Sequence, residues 1–121
     1  MAKIIFHLLN IIFVFFYIYP GSLLGFLIYK DISKQPQITS DFLVSSNHFF
    51  VFFLLSLLGL ISYFKNLKKI ILYLIFISII LELLHLYIPN RSFQFSDLFG
   101  NIVGVLISIL ILILFNFWRK K

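Results

Sequence analysis

Cysteine is absent from this 121-residue chain, acidic residues number four, and charged residues of both signs make up 12% of it. The first absence excludes disulfides, thiolate metal sites and a cysteine nucleophile. The scarcity of charge excludes an ordinary soluble domain, where about a quarter of residues are charged. What is there is apolar: 62% of residues are hydrophobic, gathered in runs of roughly 16 to 26 with few charges, long enough at about 1.5 Å per residue to cross a hydrocarbon core of about 30 Å. The period-two alternation of a barrel strand is missing as well, so these runs predict helices. No internal similarity argues for inverted repeats. The expected fold class is all-α, a single polytopic membrane domain spanning residues 1–121, built as a four-helix transmembrane bundle.

The spans are expected at residues 4–29, 48–64, 70–88 and 97–118. The first opens after Lys3 and is interrupted at Pro20-Gly21; no Ala-x-Ala-like site follows, so it reads as a retained helix rather than a signal peptide. As one helix it would be about 39 Å long, so it must tilt, kink at Pro20 or emerge into the interface. Asn10 within it suits an interhelical hydrogen bond. Lys30 to Asn47, with Lys34, Pro36 and Asp41, is the extended polar connection. Pro89-Asn90-Arg91 ends the third span, because Pro cannot continue a helix and Asn tolerates the left-handed conformation of a sharp turn.

Orientation follows from the basic residues. With the N-terminus inside, Lys3, Lys65, Lys68, Lys69, Arg119, Lys120 and Lys121 fall on the inner side, and Lys30, Lys34 and Arg91 on the outer, seven against three. Both termini are then cytoplasmic. The formal net charge of +6 reflects this topology and not a nucleic-acid surface, because the basic residues sit at the ends of apolar runs.

The chemistry gathers between Glu82 and Gly104. A carboxylate at the depth of Glu82 costs about 2.5 to 3.5 kcal/mol even on insertion scales, so it needs a partner, water or a proton. His85 is three residues on and shares its helix face. Asp97, Asn101, Gly104 and Ser108 form one polar, small-residue stripe on the last span, and Gly100 with Gly104 makes a Gly-x-x-x-Gly pair that admits a close helix. Antiparallel neighbours joined by a short turn bring Glu82 and His85 towards Asp97 and Asn101, with Arg91 above and His48 entering from the second span. Such a cluster can bind an anionic head group through Arg91, exchange protons through Glu82, His48 and His85, hold a metal, or simply lock the helix pair. Glu82-x-x-His85 matches half of a di-iron helix pattern whose other half is missing, and zinc would have to recruit His48 and Asp97 from separate helices, so no metal or other cofactor is expected. No serine stands in a nucleophile-elbow context.

The spacing of Glu82, Pro89-Asn90-Arg91, Asp97, Asn101 and Gly104 resembles the Glu, Pro-Gly-Arg, Asp, Asn and Gly signature of the VanZ-like family of small bacterial membrane proteins. His48 is similar to a His in that family's second segment, and Ser33-Lys34-Gln35-Pro36 faintly matches its Ser-Ser-Gln-Pro loop. Asn90 replaces the usual Gly, and His85 stands where Gln is expected. The resemblance implies a multi-pass protein of the bacterial cytoplasmic membrane, in a family whose founding member is associated with low-level teicoplanin resistance. The expectation is an outward-facing polar site that binds or modifies a lipid-linked or anionic envelope component and so affects glycopeptide susceptibility. Glu82, His48 and His85 would exchange protons, and Arg91, Asp97 and Asn101 would hold the ligand. Membrane lipids or a lipid-linked precursor are the expected partners, a homodimer is admitted, and nucleic acid is not. Two other classes stay open: a proton-coupled small-molecule transporter subunit, and a non-catalytic assembly partner associating through Gly100 and Gly104.

Overall fold

The computed structural model describes residues 1–39 and 43–121; Asp41, part of the expected polar connection, lies outside them. Among the described residues the helices are α1 (Ala2–Ile18), α2 (Leu23–Tyr29), α3 (Ser46–Ser62), α4 (Leu67–Leu84) and α5 (Phe95–Arg119), with a 3-10 turn at Phe64–Asn66, and there is no strand.

The apolar stretch 4–29, expected as one span interrupted at Pro20-Gly21, is two helices, α1 and α2, bent by 80° to one another at that break. The cause is local. Tyr19 precedes Pro20, whose ring disfavours the helical region for the residue before it, and Tyr19 is extended with ψ 131. Gly21 then takes φ 107, and Ser22 restarts the helix by accepting a hydrogen bond from the Gly25 amide at 2.9 Å. The end of α4 differs from expectation: the helix stops at Leu84, not near 88. Amides of His85, Leu86 and Tyr87 bond carbonyls three residues back, tightening the chain into turns ahead of Pro89, and Asn90 takes the left-handed conformation with φ 60.

Side-chain contacts set the direction of the long helices. His7 Nε2 lies 2.6 Å from Tyr63 Oη, and Asn10 donates to Tyr73, so the start of α1 sits beside the end of α3 and the start of α4. At the other end Tyr17 meets His48, and Asn101 meets Tyr17 and Ser78. Helices α1, α3, α4 and α5 therefore alternate in direction. By length and composition α5 alone is apolar and long enough to cross a membrane, with α1 and α2 together as a bent second candidate among the described residues. Helix α3 has 17 residues, and α4 carries Lys68, Lys69 and Glu82.

The largest interface is α3 against α5, and glycines make it. A Cβ on Gly104 would lie 2.7 Å from the Phe49 carbonyl oxygen and 2.8 Å from the Phe53 nitrogen; on Gly100 it would lie 2.8 Å from the Ser45 carbonyl oxygen and 3.1 Å from His48 Cβ. The Gly-x-x-x-Gly edge is thus occupied by α3 of the same chain. Ser108 extends the contact by donating to the Phe53 carbonyl at 2.9 Å, and Phe52, Leu55 and Val105 fill the interior beside it. The Lys30–Asn47 connection folds back on the start of α3: Asn47 donates to the Pro36 carbonyl and accepts from the Ile38 amide. Asp31 closes its first turn by accepting from the Ser33 hydroxyl and amide, which together hold its carboxyl below the ordinary range.

Gly104→Ala forces the two helix backbones apart and is expected to destabilise the protein by about 1–3 kcal/mol. Denaturant titration of the purified variant checks this; unchanged stability would mean that the α3–α5 contact is looser than its geometry.

Candidate functional site

The end of the helix array where α1 and α4 finish and α3 and α5 begin carries a connected set of polar side chains. Glu82, His85 and Asn101 are buried, with 0%, 2% and 0% exposure. The set is brought together from the ends of α3, α4 and α5. Glu82 sits in the last turn of α4 and His85 caps it; His48 is in the first turn of α3, and Asp97 and Asn101 open α5.

Hydrogen bonding gives this set a polarity. Asn101 Nδ2 lies 2.9 Å from the Ser78 carbonyl, which only accepts, so the amide orientation is set and Oδ1 faces Tyr17 and His48. Tyr17 Oη donates to Asn101 Oδ1 at 2.8 Å. His48 Nδ1 is 2.8 Å from Tyr17 Oη and 2.9 Å from Asn101 Oδ1. With Tyr17's single proton already given to Asn101, both of these oxygens face His48 as acceptors, and Nδ1 must carry a hydrogen. In neutral His48 the lone pair is therefore on Nε2, which points to Asp97 Oδ2 at 3.6 Å. Asp97 is itself hydrogen-bonded by Ser45.

The second histidine has the opposite tautomer. His85 Nε2 is 2.9 Å from the Tyr17 carbonyl and must donate to it, which leaves Nδ1 facing Glu82 Oε2 at 3.3 Å. Two lone-pair-bearing atoms at that distance repel unless a proton or a cation lies between them. Glu82 Oε2 is also 3.7 Å from His48 Nδ1, while Oε1 accepts the Gln94 amide at 3.1 Å. Tyr17 packs between the two histidines, edge-on to His48 and stacked on His85. The arrangement can hold a proton between Glu82 Oε2 and His85 Nδ1, while His48 Nε2, on the Asp97 side of its ring, can take up one separately.

Arg91 makes no ion pair with Glu82 or Asp97 among the described residues. Its Nε and Nη2 donate to the Tyr19 and Phe16 carbonyls at 3.0 and 2.7 Å, closing the C-terminal end of α1. Partial burial lowers its pKa from the ordinary value, opposed by the fields of Tyr17, Glu82 and Asp97. A guanidinium has five N–H donors, so this docking leaves donors over for a ligand.

These groups border a cleft of about 590 Å³. His48, Asp97 and Arg91 lie at its polar side; Phe13, Leu23 and Val51 are among its apolar walls, and Pro36 and Ile38 of the connection cover it. Of the residues expected from sequence, Glu82, His48, His85, Asp97 and Asn101 come together, Arg91 stands at the cleft docked on α1, and Gly100 with Gly104 lies beneath His48 in the α3 contact. Tyr17 was missed. Its signal was weak but present: it follows Asn10 by seven residues, on the same face of an otherwise apolar helix.

The network ranks two substitutions. Tyr17→Phe is expected to cost about 1 kcal/mol, because His48 keeps Asn101 Oδ1 as acceptor, whereas Asn101→Ala removes all three of its contacts, strands the Tyr17 proton and opens a hole, costing roughly 2–4 kcal/mol. Equal losses in denaturant titrations would contradict this polarity.

Comparison with known proteins adds a family. No curated protein and no solved structure matches the chain. The family model described as VanZ/LLP1 matches residues 4–116, nearly its whole length. The matched span contains the signature from Glu82 to Gly104 together with His48, and the chain belongs to the VanZ/LLP1 family.

Proposed function

We propose that this protein crosses the bacterial cytoplasmic membrane several times, with both termini in the cytoplasm, and that its cleft faces outward to receive the head group of a lipid-linked or anionic envelope component. Support for the membrane setting comes from an inverted distribution of polarity. Glu82, His85, Asn101, Ser56, Ser78 and Ser108 are buried, while Leu8, Ile11, Leu72, Phe76, Leu106 and Ile113 are exposed. Water would penalise that surface; lipid accommodates it, and polar residues turned to the interior are the usual pattern in membranes. The cytoplasmic placement of the termini rests on the seven-to-three distribution of Lys and Arg. Lys3 lies over the Tyr63 ring at 5.0 Å, at the end away from the cleft, where Lys65 of the 3-10 turn and Lys68 and Lys69 at the start of α4 also lie.

The observation that carries the ligand reading is the amphipathic cleft itself. One side offers a guanidinium, an imidazole and a carboxylate, and Phe13, Leu23, Val51 and Ile38 supply apolar wall between further polar residues such as Gln35, Asn47 and Gln94. That combination matches a molecule with an anionic head and an apolar tail. Arg91 binds the phosphate or carboxylate with its remaining donors, and His48 Nε2 accepts or returns a proton at the head group. Membership of the VanZ/LLP1 family is consistent with an effect on glycopeptide resistance. The rival assembly reading loses its surface, because Gly100 and Gly104 are covered by α3.

Arg91→Ala and His48→Gln test the reading in cells grown with teicoplanin, with membrane abundance measured alongside. Both variants are expected to remain in the membrane and to lose the resistance phenotype, and the anionic lipids that copurify with the wild type, identified by mass spectrometry, are expected to be depleted from the variants. Arg91→Lys keeps the charge but not the fork that reaches Phe16 and Tyr19, and should retain part of the phenotype. Abundant variants with full phenotype and unchanged copurifying lipid would refute the site.

A further inference from the structure

We infer that His48, Glu82 and Asp97 form a binding site for a divalent transition-metal cation, zinc by the character of its ligands, with an open position towards the cleft. One ligand atom from each of these residues lies within 4.8 Å of the other two. They come from α3, α4 and α5, the recruitment across helices that a zinc ion would require. The second and independent observation is Glu82 Oε2. It belongs to a carboxylate with 0% exposure and accepts no hydrogen bond among the described residues, although His85 Nδ1 and His48 Nδ1 stand 3.3 and 3.7 Å from it. A buried carboxylate oxygen is costly to leave without a donor, and a metal ion answers that need as a hydrogen bond would.

The outer contacts are those of a metal site. Each ligand has one side held and another turned inward: His48 Nδ1 is engaged by Tyr17 and Asn101, Glu82 Oε1 by the Gln94 amide, and Asp97 by Ser45. Such second contacts orient ligands and select the imidazole tautomer, here the one with Nε2 free. The Nε2 to Asp97 Oδ2 separation of 3.6 Å is close to the ligand spacing of about 3.3 Å that metal bonds of about 2.0 Å produce around tetrahedral zinc. Charge agrees. Two carboxylates meet at His48, and Arg91 makes no ion pair with either among the described residues, its Nε and Nη2 docking on α1 carbonyls instead, so a divalent cation balances the cluster. An imidazole with two carboxylates and no thiolate suits zinc and its first-row neighbours better than magnesium or calcium, whose ligands are oxygen. With three protein ligands the fourth position is open, and His48 and Asp97 both line the cleft. An anionic oxygen of a head group fits that position; this last step rests on the ligand reading above, whereas the ion does not.

The test uses the full chain purified in detergent, stripped with chelator and titrated with Zn²⁺ alone, with no lipid added. One equivalent is expected to bind and raise the thermal midpoint, and Co²⁺ is expected to give a visible absorption band of low-coordinate geometry. His48→Ala and Asp97→Asn are expected to weaken binding at least tenfold, and His7→Ala to leave it unchanged. Asp97 is partly exposed, so its variant reports on the ion even if Glu82→Gln does not fold. Absence of stoichiometric binding, or binding that survives both His48→Ala and Asp97→Asn, overturns the proposal and assigns the cluster to protons. Lipid copurification from the same preparation is read separately, so loss of the metal site and loss of the head-group site are distinguishable.

Discussion

A carboxylate with no exposure constrains everything near it. Glu82 lies in the last turn of α4, and among the described residues it pairs with no lysine or arginine but faces two imidazole nitrogens and one backbone amide. Burial of an unmatched charge is severe in either water-poor protein or lipid, so the neighbours must supply positive character. His85 turns Nδ1 inward while Nε2 is tied to the Tyr17 carbonyl, and so meets the carboxylate through a proton or a cation held between them. His48 contributes from across the interface, oriented by Tyr17 and Asn101. The polar network is the consequence of that one residue at that depth.

The fold and the site are joined through glycine. Helix α3 reaches its place only because Gly100 and Gly104 remove the side chains that would meet Ser45, His48 and Phe49. The same close approach sets the His48 ring over Asn101 and beside Asp97. A residue that looks like packing in the sequence therefore positions the imidazole, and a change at Gly100 would act on the site through 3.1 Å of contact with His48 Cβ. Arg91 makes a comparable link on the other side: it fastens the finished end of α1 to the turn after α4, which holds the α1–α2 bend above the cleft.

Much of the site was legible because charges and amides are rare in so apolar a chain, and helical period assigns rare residues to faces. Glu82 with His85, and Asp97 with Asn101, could be placed on two stripes from spacing alone, and the Pro89-Asn90 turn set those stripes opposite one another. Less visible was anything that depends on a backbone carbonyl. Arg91 read as a free anion receptor because its acceptors, the carbonyls of Phe16 and Tyr19, exist at every residue and carry no sequence mark. Tyr17 was hidden for a related reason: in an apolar run a tyrosine reads as an interfacial ring, and nothing local says that its hydroxyl will meet an asparagine 84 residues away. The bend at Pro20 was legible as an interruption, but its 80° angle came from Tyr19, Gly21 and the Ser22 cap acting together.

By itself the sequence determined the helical class, the grouping of polar chemistry at one end and the family signature, because hydrophobic run length, helical period and the spacing of rare residues are all local properties. The tertiary structure alone decided which atoms face each other: the tautomers of His48 and His85, the Glu82 oxygen left without a hydrogen bond, and the convergence of His48, Glu82 and Asp97 from three helices. Those depend on packing distances of 3 to 4 Å between segments far apart in the chain, which spacing along the chain does not encode. The stretch from Glu82 to Gly104 supplies most of the groups; residues of α1 and α3 turn them into a site.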